Sequence, residues 1–142
     1  MKKLGTLVLL FTCLHVHAQI NELPEAVAKA FKSRYPAAIL EDWRSEDPFW
    51  FVDYSLNRYS YTAKFDSIGI WLETSELISD FEIPSQLKTY LGEKFPAAKI
   101  CYCERVENKD SPKFIRVNFF DENRLSAICC DADGKNIRLL KP

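Results

Sequence analysis

Histidine is scarce in this chain. Only His15 and His17 occur in 142 residues, and both fall in a segment whose pattern marks it for removal. Lys2 and Lys3 make a basic start, Leu4 to Leu14 an apolar run, and Val16-His17-Ala18 places small residues at the last and third-last positions. That pattern predicts a signal peptide over residues 1–18, cleaved between Ala18 and Gln19, and hence a periplasmic or secreted protein. The apolar run is too short to cross a bilayer, which takes about 20 residues, so no transmembrane segment is expected.

Each scarcity excludes a chemistry. Without residues 1–18 the chain has no histidine, so a histidine general base, a Ser-His or Cys-His nucleophile and a histidine-ligated metal are all ruled out. An excess of positive charge is also missing. Loss of Lys2 and Lys3 from 19 basic residues leaves 17 against 20 acidic ones, a net charge of −3, and a nucleic-acid partner would call for a basic face. No Cys-x-x-Cys occurs, which argues against thiol redox catalysis. No metal or cofactor is expected. Asp131 and Asp133 could begin a calcium loop, but Lys135 and Asn136 end the ligand series.

What is present is a repeat. Leu23-Pro24 and Pro36-Ala37-Ala38 recur as Ile83-Pro84 and Pro96-Ala97-Ala98, an offset of 60. Further on the offset becomes 65, and Phe49, Val52, Asp66 and Gly69 align with Phe114, Val117, Asp131 and Gly134. A period of this length is a supersecondary unit, so the expected organisation is a tandem duplication, with repeats at 19–80 and 81–142.

Each repeat opens with a helix. Leu23, Val27, Phe31 and Tyr35 form an apolar stripe, as do Ile83, Leu87, Leu91 and Phe95. Pro24 and Pro84 suit a first turn, and Pro36 and Pro96 stop the helix. Strands follow, around Leu40 to Arg44 and Ile100 to Val106 and then with period-two alternation. A tight turn at Asn57-Arg58 pairs Tyr54 with Tyr61, Val52 with Ala63 and Trp50 with Phe65. A turn at Glu122-Asn123 sets Ile115, Val117 and Phe119 opposite Cys130, Ile128 and Ser126. Both copies thus bury one face in the same register. Asp66-Ser67-Ile68-Gly69 and Asp131-Ala132-Asp133-Gly134 are Asp-opened turns with glycine at positive φ. Four-residue loops there would place Ile70, Leu72, Ile137 and Leu139 on the core side. The fold class is α+β: a helix plus a four-stranded antiparallel sheet, twice, with the helices on one sheet face.

These residues carry a resemblance. Leu-Pro, an amphipathic helix, Tyr35-Pro36-Ala37-Ala38, a tryptophan-bearing strand at Trp43, an aromatic hairpin and Phe65-Asp66-x-x-Gly69 resemble the PepSY-like, beta-lactamase-inhibitor-protein-like (BLIP-like) secreted proteins of Bacteroidota. The likeness spans 22–142 in two copies. The second copy departs where Cys103 replaces Trp43, where Cys129-Cys130 replace Lys64-Phe65, and where its first hairpin loop lengthens by five residues through Asn108-Lys109-Asp110-Ser111-Pro112. The resemblance implies a non-enzymatic binding or inhibitory module, of a peptidase or other hydrolase, and no catalytic residues.

Helices on one side leave the other sheet face open for a protein or peptide partner, or for a second copy of the chain. On that face the expected contact residues are Trp43, Phe49, Phe51, Lys64, Trp71 and Glu73, aromatics ringed by charge. A small-ligand carrier using the same face is the alternative. A carboxylate hydrolase would need two of Glu41, Asp42, Asp53 and Glu73 to converge in a cleft. Cys101, Cys103, Cys129 and Cys130 are candidates for disulfides or free thiols. In a simple meander a strand separates their two strands, roughly 9.6 Å, beyond disulfide reach. Either the strand order is not a meander or some thiols stay free, with Cys130 serving as a small core residue.

Overall fold

A computed structural model of the chain describes residues 22–111 and 113–140, so the expected signal peptide at 1–18 lies outside the described residues. Helix α1 (Glu25–Arg34) precedes strands β1 (Ile39–Glu46), β2 (Phe49–Leu56), β3 (Tyr59–Asp66) and β4 (Trp71–Ile78). A short 3-10 turn (Asp80–Glu82) then leads to α2 (Ser85–Lys94), β5 (Lys99–Asn108), β6 (Phe114–Asp121), β7 (Arg124–Asp131) and β8 (Arg138–Leu140). All eight strands form one antiparallel sheet in sequence order, an unbroken meander.

Both helices start at proline and end where the next residue's N–H still reaches back, Tyr35 to Phe31 and Phe95 to Leu91. Their stripes bury as the spacing requires. Val27 and Phe31 close over Val52, Tyr54, Ala63 and Phe65. Ile83, Leu87 and Leu91 close over Cys103, Ile115, Val117, Phe119, Ile128 and Cys130. The hairpin registers are those the turns demand: Tyr54 faces Tyr61 and Trp50 faces Phe65, while Ile115 faces Cys130 and Phe119 faces Ser126. Asn57, Arg58, Glu122 and Asn123 all take positive φ, the geometry whose twist suits a two-residue hairpin.

The Asp-opened turns do more than reverse the chain. The Asp66 carboxylate accepts from the N–H groups of Ile68 and Ile70, and that of Asp131 from Lys135 N–H. Gly69 and Gly134 sit at φ of +86° and +77°, and each turn is pressed beneath the start of a helix. A Cβ on Gly69 would lie 2.6 Å from the Ala26 carbonyl oxygen, and one on Gly134 2.7 Å from Pro84 Cβ. Glycine is therefore required twice over at both places, by dihedral and by contact.

The expected inward placement of Ile70 and Leu72 is corrected. Lys64 faces Glu73 but Phe65 faces Trp71, so Leu72 is an extra residue, a β-bulge that turns Trp71 to the helix side. Ile70 is 51% exposed. In the second half Ile137 packs against the core as expected, and Leu139 faces Ile128 on the helix side but stays 49% exposed at the sheet's end.

Strands β4 and β5 join the halves through six facing pairs, from Glu73–Asn108 to Ile78–Cys103. Charge fastens this seam on both sides. On the helix side Arg105 bridges Glu76 at 2.8 Å and Glu82 at 2.9 Å, and Arg34 of α1 reaches Glu107. On the opposite side Arg116 takes Glu73 of β4 and Glu104 of β5. That side also holds a third apolar cluster, Val106, Phe114 and Cys129 with Leu140 against them.

Candidate functional site

The register divides the side chains into two populations. Residues that share a side with Val52, Ala63 and Val117 lie under or beside the helices. Phe49, Phe51, Asp53, Thr62, Lys64, Glu73, Ser75, Leu77, Tyr102, Glu104 and Arg116 share the other side. That side is concave and encloses a groove of about 920 Å³ reaching from Arg44 and Glu46 of β1 to Tyr102 of β5 and Arg116 of β6. The curvature brings the Glu46 carboxylate near enough to act on Tyr102: burial raises that phenol first, then the charge of Glu104, with Glu46 a smaller contributor.

The floor is ionic. Arg116 donates to both carboxylate oxygens of Glu73 at 2.9 and 3.2 Å, and through Nε to Glu104 at 2.8 Å. Asn118 donates to the same Glu104 oxygen at 3.1 Å. Arg116, Glu73 and Glu104 side chains are only 18%, 19% and 11% exposed. Burial works against the guanidinium charge, but the hydrogen bonds to Glu73 and then Glu104 outweigh it and hold its pKa above the ordinary arginine range. Six carboxylates, Glu41, Glu46, Asp53, Glu73, Glu76 and Glu104, thus line the cleft, and one arginine occupies Glu73 and Glu104.

Along the first-half wall, cations lie over aromatic rings. The Lys64 ammonium is 4.0 Å from the Phe49 ring centre and 5.4 Å from that of Phe51. The Arg44 guanidinium is 4.6 Å from the Phe51 ring and bonds Asp53 at 3.0 Å. Asp53 in turn accepts from Thr62 at 2.6 Å. Asp42 accepts from Trp43 N–H at 2.8 Å. The acidic candidates Asp42, Asp53 and Glu73 are therefore each engaged by a donor.

Of the six expected contact residues, Phe49, Phe51, Lys64 and Glu73 come together on the concave side. Trp43 and Trp71 do not. The two-residue turn Asp47-Pro48 sets Glu46 opposite Phe49, so Trp43 faces Val52 and shares its side. Trp71 packs against the first core, donates from Nε1 to Thr74 at 2.9 Å and carries the Arg34 guanidinium 3.5 Å above its ring. Trp50 faces Phe65, so none of the three tryptophans serves the open side. Its exposed apolar residues lie elsewhere: Ile39 at 69% on β1, Leu77 at 72% and Tyr102 at 46% at the far end, and beyond the groove Phe120 at 47% and Leu125 at 51%. The phase of Phe120 and Leu125 is readable from the Glu122-Asn123 turn. That of Leu77 and Tyr102 needs the β4–β5 pairing, which no turn motif announces.

The cysteines divide the same way. The meander separates their strands, and Cys101, Cys103, Cys129 and Cys130 are all free. Cys103 and Cys130 are core residues. Burial pushes both thiols up to about 11, helped at Cys103 by Asp80 and at Cys130 by Asp131. Cys129 lies on the concave side beneath Arg138, whose Nε is 3.2 Å from its sulfur, and Cys101 is exposed at a bulge.

An eight-stranded antiparallel meander with two helices on one side and a charged concave groove on the other defines an α+β class of protein. Several solved structures from Bacteroides share that class with this chain. A DUF2874 family protein of Bacteroides uniformis matches with TM-score 0.60 and 17% identity, over 83% of this chain and 90% of that one. A BLIP-like protein of Bacteroides fragilis matches with TM-score 0.59 and 19% identity, over 85% and 86%. A Bacteroides eggerthii protein, inferred to be periplasmic, matches with TM-score 0.59 and 15% identity, over 83% and 89%. At these identities the likeness is one of fold, and at that level the resemblance to the BLIP-like proteins of Bacteroidota stands. No protein-family model and no curated protein sequence matches the chain.

Proposed function

We propose that the chain is an exported, non-enzymatic binding protein of the periplasm that grips a protein or peptide partner with its concave sheet face and inhibits a hydrolase. The observation that carries this reading is the face itself: a helix-free groove of about 920 Å³ with a rigid ionic floor and an apolar far end. A surface of mixed charge and clustered apolar groups is the composition of a protein-binding patch. The likeness to a BLIP-like fold and to a protein inferred to be periplasmic supports the same reading. We read the two halves as duplicated repeats, 19–80 and 81–142, behind a cleaved signal at 1–18.

Against carboxylate hydrolysis, Arg116 holds Glu73 and Glu104, Arg44 holds Glu46 and Asp53, and Arg105 holds Glu76. The groove volume lies within the roughly 300–1,000 Å³ span of small-ligand sites, but such sites carry few polar groups, whereas ten of the eighteen residues lining this groove are charged. The test compares the chain from Gln19 onward with its Leu77→Asp, Tyr102→Asp double variant as baits in periplasmic extract. A hydrolase retained and inhibited by the first and not by the folded second supports the reading. Equal capture by both defeats it.

A further inference from the structure

A smaller cavity, of about 200 Å³, lies on the helix side of the sheet between α2 and strands β5 and β6, and shares no residue with the concave groove. Leu87, Leu91 and Phe95, spaced four residues apart, form one wall, and Ala98, Ile100 and Val117 form the other. Two helical turns make that wall about 11 Å long, so the space is a slot. At the equivalent places the first half carries bulkier side chains: Phe31 for Leu91, Lys32 for Gly92 and Trp43 for Cys103. Trp43 faces Val52 as Cys103 faces Val117, so the exchange takes an indole away from beside the lining. Gly92 has neither a positive φ nor a close neighbour to require it, and glycine inside a helix destabilises it against alanine. What the glycine does provide is an open mouth, since an added Cβ there would meet nothing within 4 Å.

The lining has one charged residue. Lys88, exposed one turn before Gly92, forms no ion pair among the described residues, and no carboxylate lines the cavity. An apolar cavity of about 150 Å³ takes up a benzene-sized guest, so this one admits a single small apolar body. We propose that the slot binds a small carboxylate with a linear apolar chain. The chain lies along Leu87, Leu91 and Ile100, and the carboxylate pairs with Lys88. One lysine with no arginine fork beside it fits a monoanion better than a phosphate, and the volume excludes the paired acyl chains of a membrane lipid. Ligand and protein partner would then occupy opposite sides of the sheet.

The test titrates the chain from Gln19 onward with linear saturated carboxylates of increasing length, read by isothermal calorimetry and by amide NMR shifts. Saturable one-to-one binding is expected, moving the amides of Leu91, Gly92 and Ile100. Affinity should rise about fourfold per added methylene and level off once the slot is full. Gly92→Leu fills the mouth and Ile100→Trp covers it from the strand; each should lose roughly tenfold or more with the melting curve retained, and one folded variant of the two suffices. Lys88→Gln should weaken the acid and leave the matching alcohol unchanged. No saturable binding, or binding that survives the blocking variants, overturns the site. Acid and alcohol that bind alike overturn the carboxylate. The rival occupant is the ring of Phe81, 94% exposed at the start of this half. A dimer in sedimentation that Phe81→Ser dissolves, and that excludes the acids, assigns the slot to a second copy and overturns the proposal.

Discussion

The two halves of the sheet share a core plan and differ in what they leave outside it. In residues 22–78 the tryptophans turn toward the helix, Trp43, Trp50 and Trp71 all sitting on that side, while the concave side carries Phe49 and Phe51 under Lys64 and Arg44, with Ile39 and Leu77 exposed at its margins. In residues 79–140 the concave side is itself apolar at both ends, with Val106, Phe114 and Cys129 buried at one and Tyr102, Phe120 and Leu125 exposed at the other. The outer surfaces of both helices are charged, with Glu25, Lys29, Lys32 and Arg34 on α1 and Lys88, Glu93 and Lys94 on α2. The two halves thus differ mainly in their open sheet faces, cations over aromatic rings in the first and a buried apolar cluster in the second, and the groove lies across the boundary.

Five measurements bear on this contrast. The largest effect is expected from the two cores. Phe65→Ala and Phe119→Ala each remove a fully buried ring and should cost about 3–5 kcal/mol. If β4–β5 pairing makes the halves one cooperative unit, either variant shifts a single denaturant transition. Two separate transitions would show that the seam does not couple them. Next is the seam's own arginine. Arg116→Met strands Glu73 and Glu104 without their counter-charge, and removing one partner of a buried ion pair costs roughly 3–5 kcal/mol. Urea unfolding at neutral pH checks this, and a loss under about 1 kcal/mol would mean that water solvates the floor freely.

The glycines test whether the halves are built alike. Gly69→Ala and Gly134→Ala should each cost about 1–3 kcal/mol from the strained dihedral. Gly69 should be the worse, because its Cβ meets a backbone carbonyl while that of Gly134 meets side chains. Equal losses would mean that dihedral strain alone decides. The thiols offer a probe confined to the second half. With Cys103 and Cys130 raised to about 11 and Cys129 buried, titration with Ellman's reagent at pH 8 should find Cys101 alone among the four in the native protein, and all four after denaturation. A second fast native thiol would show the α2 core opening locally. The smallest effect is a gain. Gly92 has neither a positive φ nor any atom within 4 Å of the place an added methyl would take, so Gly92→Ala should stabilise by roughly 0.5–1 kcal/mol. No gain in melting temperature would imply that α2 is already fixed by its packing.

Much of this architecture can be read from residue order, because the signals are local. Asn57-Arg58 and Glu122-Asn123 set both hairpin registers, Asp66 and Asp131 open the turns, and the four-residue stripes place the helices. The site is less legible. Trp71 turns inward because Leu72 is a bulge, and nothing in the run Ile70-Trp71-Leu72 distinguishes a bulged strand from a regular one. Leu77 and Tyr102 belong to the groove only through β4–β5 pairing, which joins strands separated by a helix. Arg116 reaches Glu104 only 12 positions back but Glu73 43 positions back, a distance over which no pattern reaches. Lys64 is legible as a surface charge, but its seat over Phe49 and Phe51 is not.

The uninterrupted order β1 to β8 has a consequence in time as well as space. Each strand finds its neighbour one hairpin or one helix away along the chain, so no early segment waits for a late one to complete its pairing. Loop-closure entropy is met in small instalments, the condition under which β-rich chains fold fast. A chain threaded through a membrane pore from its N-terminus would be able to zip strand onto strand as it emerged. At every moment it would expose a single growing edge, and it would be complete when Leu140 settled beside Ala127.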